Sequence, residues 1–89
     1  MLTEADKKTI RKIAKKYSVK SVLLFGSSLS HNEKSHDIDI GVEGISAKDF
    51  FSFYGDLMVE LSKPVDIVDL SGTSKFVKMV KREGLLLYG

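Results

Sequence analysis

Two aspartates one residue apart, Asp37 and Asp39, open an apolar run that follows a polar loop. On a strand, alternate side chains share a face, so these two carboxylates project together while Ile38 and Ile40 face the other way. Hard oxygen donors in that arrangement suit a divalent cation. A third aspartate, Asp66, lies inside a later apolar run, VDIVDL from Val65 to Leu70. Its neighbours Val65, Ile67 and Val68 predict a covered strand, where a carboxylate is costly unless it is paired, protonated or bound to a cation. The plainer alternative is an edge strand with Asp66 in water. Asp69 falls on the opposite strand face from Asp66. Upstream, the run VKSVLLF, Val19 to Phe25, breaks at Gly26-Ser27-Ser28. That break is either an ordinary turn or a tight turn whose free backbone N–H groups bind an anion.

Three carboxylates on two strands, with a Gly-Ser turn after another, suit phosphoryl and nucleotidyl transfer. There, one or two Mg2+ ions neutralise phosphates, align an in-line attack and stabilise the entering and leaving oxygens. Asp37 and Asp39 would supply metal ligands. Asp66 would complete a second metal position or accept the proton of the attacking hydroxyl. Gly26, Ser27 and Ser28 would hold a triphosphate through their N–H groups and hydroxyls. His31 and His36 lie in the intervening loop without a partner at metal-ligand spacing, and read as loop residues.

The elements that must position these residues follow from periodicity. Thr3 and Asp6 resemble a capping box, and Ile10, Ile13, Ala14 and Tyr17 recur at helical spacing, predicting a helix over about residues 3–17. Its other face carries Lys7, Lys8, Arg11, Lys12, Lys15 and Lys16. A solvated outer face is the ordinary reading, and docking to an acidic protein or to nucleic acid the sharper one. No aromatic residues interleave these lysines, so direct nucleic-acid binding is disfavoured. Val19 to Phe25 predicts a central buried strand, and Asp37 to Val42 a second. Ser46 and Asp49 form another capping signal, opening a helix whose Phe50, Phe51, Phe53, Tyr54, Leu57, Met58 and Leu61 read as a core-facing arc. Val59 falls among that helix's polar positions. Lys63-Pro64 ends it, and the strand with Asp66 follows. Phe76, Val77, Met79 and Val80 predict a last helix stopped by Gly84, and Leu85 to Tyr88 a terminal strand. The expected order is α-β-β-α-β-α-(β). A short link between the first two strands favours antiparallel pairing, and the helical crossover to the third favours parallel pairing. An α/β (α+β) fold follows, with a small mixed sheet and helices mainly on one face.

With 89 residues, 43% hydrophobic and 29% charged, the chain is expected to be a single domain over 1–89. It contains neither Cys nor Trp, which excludes a disulfide framework and thiolate metal sites. No apolar run approaches the ~20 residues that span a bilayer, and the first residues lack a signal-peptide h-region, so no membrane role and a cytoplasmic location are expected. The net charge of +2 is too small to mark a nucleic-acid binder by itself.

Gly26-Ser27, then Asp37-Ile38-Asp39, then Val65-Asp66-Ile67-Val68, with Glu83-Gly84 leading to Tyr88, resembles the minimal nucleotidyltransferases of the DNA polymerase beta superfamily. The resemblance extends over nearly the whole chain. It implies the nucleotidyltransferase fold, with Gly26 and Ser27 as phosphate-binding residues, Asp37 and Asp39 as the metal-binding pair and Asp66 as the third carboxylate. It implies transfer of a nucleoside monophosphate from a nucleoside triphosphate, with ATP and Mg2+ as the expected substrate and cofactor. Many minimal members are antitoxins paired with a helical HEPN-type ribonuclease toxin, which some adenylylate, so such a partner is implied here. A homo-oligomer is a further option for completing the small pocket. The chain departs from the family pattern after Gly-Ser: Ser30 stands where an arginine is usual, His31 where a glycine is, and His36 where a serine often precedes the first aspartate. Serine cannot replace arginine's charged fork. Lys34 is a candidate substitute. The departure keeps a second reading open, in which the chain neutralises its partner by binding alone.

Overall fold

The computed structural model describes residues 2–26 and 37–89. Ser27 and Ser28 of the predicted phosphate turn, and Ser30, His31, Lys34 and His36 of the loop, lie outside them.

Helix α1, Glu4–Lys16, starts where Thr3 accepts a hydrogen bond from the Asp6 N–H at 3.0 Å. The expected return half of the capping box does not form. Asp6 is buried and its carboxylate instead accepts hydrogen bonds from the backbone N–H and hydroxyl of Ser62. A carboxylate there does more as a tie between two segments than as a local cap. Strand β1, Ser21–Leu24, antiparallel to β2, Ile38–Glu43, is followed by α2, Ala47–Glu60, which crosses to β3, Val65–Asp69. Helix α3, Lys75–Glu83, and β4, Leu85–Tyr88, complete the chain. The sheet order is β3-β2-β1-β4, with β2 and β3 parallel and β4 antiparallel to β1. All seven expected elements and both expected pairings are present.

Strand alternation divides the side chains between two cores. Val22, Leu24, Ile38, Ile40, Val42, Val65 and Ile67 meet Ile10, Ile13 and Ala14 of α1 and Phe53 and Leu57 of α2. Each of the larger of these side chains removed from water stabilises the fold by about 1.5–3 kcal/mol. Leu23, on the opposite face of β1, packs with Leu70, Val77 and Val80 beneath α3. Two helices therefore cover one face and the third covers part of the other. That second face needs Gly41, because a Cβ there would sit 2.7 Å from the buried Leu70 side chain.

Helix α2 differs from its sequence pattern. Phe53 and Leu57 are fully buried, but Phe51 and Met58 are 79% and 63% exposed; Val59, expected among the polar positions, is 85% exposed. The predicted apolar arc is wider than the sheet and α1 can cover: Phe53, Leu57 and Leu61 are core and Phe50 and Tyr54 pack against it, while Phe51 and Met58 are left outside. The helix is held to α1 by Lys12–Glu60 at 2.8 Å and Lys16–Asp56 at 2.9 Å, with the Tyr17 hydroxyl also donating to Asp56. Part of the lysine-rich face of α1 is thus engaged within the fold.

The hydrogen bonds from Lys16 and then from Tyr17 hold the Asp56 carboxyl below its ordinary range. A depressed carboxylate stabilises the folded state above its ordinary pKa and loses that contribution as pH falls through the lowered value. The stability gap between the wild type and Asp56→Asn, measured by urea denaturation, should stay level from neutral pH to the ordinary carboxylate range and narrow below it. A gap that widened on acidification would contradict this tie.

Candidate functional site

The parallel pairing places Ile38 beside Val65 and Asp39 beside Asp66. The Ile38 N–H donates to the Pro64 carbonyl at 2.8 Å, and the Leu70 N–H donates to Val42 at 2.8 Å, fixing the register at both ends. Since Ile38 and Ile40 point into the α1–α2 core, Asp39 faces the other side of the sheet, as does Asp66 between the buried Val65 and Ile67. Paired strands lie about 4.8 Å apart, so the two carboxylate-bearing residues are nearest neighbours on one face. Like charges at such positions repel.

On the other side of Asp39, the Phe25 N–H donates to the Asp39 carbonyl at 3.0 Å, and Gly26 follows at φ +67°. A Cβ at Gly26 would lie 2.8 Å from Asp39 Oδ2. Position 26 therefore has two reasons to be glycine: a left-handed backbone and the carboxylate against it. The residue chosen from sequence as the start of a phosphate turn is in direct contact with one member of the acidic pair.

Asp37 is exposed and lies in a bend just before β2, which begins at Ile38 rather than at Asp37 as expected. Asp66 is also exposed, on the edge strand. The expectation of a covered strand around Asp66 is therefore corrected: Val65 and Ile67 are buried on one face only, and the Asp66 face is open. The cost of burying a carboxylate does not single out Asp66; its position beside Asp39 does. Asp69 accepts from the Ser71 N–H at 2.9 Å in the turn after β3, a local structural role.

Among the described residues no three acidic, histidine or cysteine side chains stand close enough together to enclose a metal ion. Asp39 and Asp66 still fit Mg2+ by donor type, since that ion takes one or two carboxylates and keeps several waters. The register that sets Asp39 and Asp66 side by side on one face of the sheet is the observation in favour of the fit.

Sequence reasoning passed over Phe25 and Phe76 as site residues. Phe25 extends the row Asp66–Asp39–Phe25 across the sheet, and Phe76, in the first turn of α3, meets it edge to face with ring centroids 5.7 Å apart. Helix α3 is fixed over this face by Val77 and Val80 and by a Lys81–Glu43 ion pair at 2.7 Å. The hydrogen bond from Lys81 lowers the Glu43 carboxyl below its ordinary range. The signal available in sequence was the identity of the residue before Gly26, which became informative only once α3 was placed.

A family model described as polymerase beta, nucleotidyltransferase matches residues 8–89. None of the curated proteins matches the chain. Among solved structures, a toxin–antitoxin with AMP-PNP is 26% identical, with a TM-score of 0.73 over 93% of this chain and 73% of that one. A toxin–antitoxin MntA-HepT structure is 22% identical, with a TM-score of 0.71 over 98% of this chain and 73% of that one. A complex of a tri-AMPylated Shewanella oneidensis HEPN toxin with an MNT antitoxin is 24% identical, with a TM-score of 0.69 over 94% of this chain and 70% of that one.

The contact at Gly26 can be measured. Gly26→Ala should cost about 1–2 kcal/mol from the left-handed backbone alone, with the clash against Asp39 in addition. In urea denaturation, Gly26→Ala combined with Asp39→Ala should therefore lose less than the sum of the two single changes. Simple additivity would show that the two residues do not meet.

Proposed function

The chain belongs to the polymerase beta nucleotidyltransferase family, and from that premise we propose that it transfers a nucleoside monophosphate, AMP from ATP, to a hydroxyl of a HEPN-type partner and so acts as an antitoxin in the cytoplasm. The observation that carries the catalytic part is the Asp39–Asp66 register beside Gly26. The partner and the donor are supported by likeness to a toxin–antitoxin solved with AMP-PNP and to an MNT antitoxin in complex with an AMPylated HEPN toxin.

In this reading Asp39 and Asp66 would hold Mg2+, with Asp37 in the bend before β2 as a further candidate ligand, and the ion when bound would supply charge neutralisation for the triphosphate and alignment for in-line attack. Gly26, Ser27 and Ser28 bind the phosphates through N–H groups and hydroxyls. Asp66, exposed on the edge strand, would either complete a metal position or accept the proton of the acceptor hydroxyl. The acceptor oxygen forms a bond to the α-phosphorus as the bond to the β-phosphate oxygen breaks, and pyrophosphate leaves. Asp37→Ala with Asp39→Ala should abolish labelling of a co-expressed partner from labelled ATP and Mg2+, with the circular dichroism spectrum of the chain retained. Undiminished labelling would refute the mechanism.

Ser30 in place of the usual arginine favours a second reading, a nucleotidyltransferase fold that neutralises its partner by occupation alone. Both readings need a docking surface, and the exposed Phe51, Met58 and Val59 on α2 supply one. Gly55 lies on the same helix, and a Cβ added there would meet none of the described residues within 4 Å, leaving room for another helix to approach closely. Phe51→Asp should weaken binding to the helical partner by tenfold or more while changing the stability of the isolated chain by no more than about 0.5 kcal/mol. Equal partner affinity in Phe51→Asp would remove α2 as the docking surface. Tight partner binding without any labelling would favour the second reading over the first.

A further inference from the structure

Phe76 has a role that neither the fold nor the acidic row requires. Its neighbour in the helix, Val77, anchors α3 in the core, but Phe76 itself remains 41% exposed. Besides what it gains from partial burial, it is held by the Phe25 ring, which it meets at 78° between planes, and Phe25 is joined through its backbone to Asp39. The edge-to-face contact fixes Phe76 beside the carboxylate row and leaves much of the ring uncovered. One end of the site thus carries acidic groups suited to a cation and polyphosphate, and the other a supported, partly open aromatic surface.

We infer that Phe76, backed by Phe25, is the platform on which the base of the bound nucleotide stacks. The inference rests on the nucleotide-binding reading of the acidic row and deepens it by assigning a base subsite. A ligand that needs both ends of this site has a polyanion at one end and a planar π-system at the other, as a nucleoside triphosphate has. Stacking is tolerant of base identity, because every base has a π-face. Phe76 therefore contributes affinity for the nucleoside and does not by itself choose adenine.

The absence of tryptophan makes the inference directly measurable. Phe76→Trp introduces the chain's single tryptophan at the proposed platform, and it can be excited selectively over the tyrosines. ATP with Mg2+ should quench its fluorescence, whereas inorganic tripolyphosphate with Mg2+ should not. In calorimetry on the full chain, Phe76→Ala should weaken ATP binding about tenfold, as loss of one stacking contact predicts, and leave tripolyphosphate binding unchanged, while Phe76→Tyr should retain wild-type affinity. ATP affinity unchanged in Phe76→Ala would overturn the platform and leave the nucleotide reading standing. A wild-type chain that bound neither ATP nor tripolyphosphate would overturn the nucleotide reading, and the platform with it.

Discussion

Everything at the candidate site depends on the register between β2 and β3. The bond from the Ile38 N–H to Pro64 at one end and from the Leu70 N–H to Val42 at the other leave the strands no freedom to slip. A shift by one residue would turn Asp66 to the opposite face and bring Val65 or Ile67 out of the core. The same hydrophobic pattern that stabilises the α1–α2 layer therefore selects the alignment in which Asp39 and Asp66 are side by side on one face.

The two faces of the sheet divide the work. One is filled by α1 and α2, whose attachment is reinforced by ion pairs and by Asp6 reaching Ser62. The other is covered by α3 over Leu23 and Leu70, leaving the Asp66–Asp39–Phe25 row at the margin of the helix. Both sheet edges receive side-chain donors: the Tyr54 hydroxyl bonds the Val65 carbonyl, and the Arg11 guanidinium bonds that of Leu87. These bonds occupy outward-facing acceptors that would otherwise invite another strand.

Element order, caps and strand directions were legible because they follow from local signals. Thr3, Ser46, Pro64 and Gly84 mark boundaries that any surrounding structure would respect. Asp39 and Asp66 could be chosen as carboxylates on strands, but their adjacency required the parallel register. The surroundings of Asp66 were misread because a run of apolar residues does not distinguish a strand covered on two faces from an edge strand covered on one. Phe51 and Met58 were misread for a related reason: periodicity gives the width of an apolar arc, and only packing decides how much of it finds a neighbour. Phe76 was invisible as a site residue since its relation to Phe25 is made by the placement of α3, far along the chain.

The crossover through α2 also separates the halves of the acidic row in time. A growing chain exposes Asp37 and Asp39 well before Asp66 has been added, and Phe76 arrives later still. Parallel pairing cannot close until the intervening helix has folded back across the sheet, a non-local step that follows local helix formation. A nascent or truncated chain ending within α2 has the signature motif but no neighbouring carboxylate and no aromatic wall. Possession of Asp-x-Asp is therefore separate from possession of the Asp66–Asp39–Phe25 row, which is a property of the completed sheet.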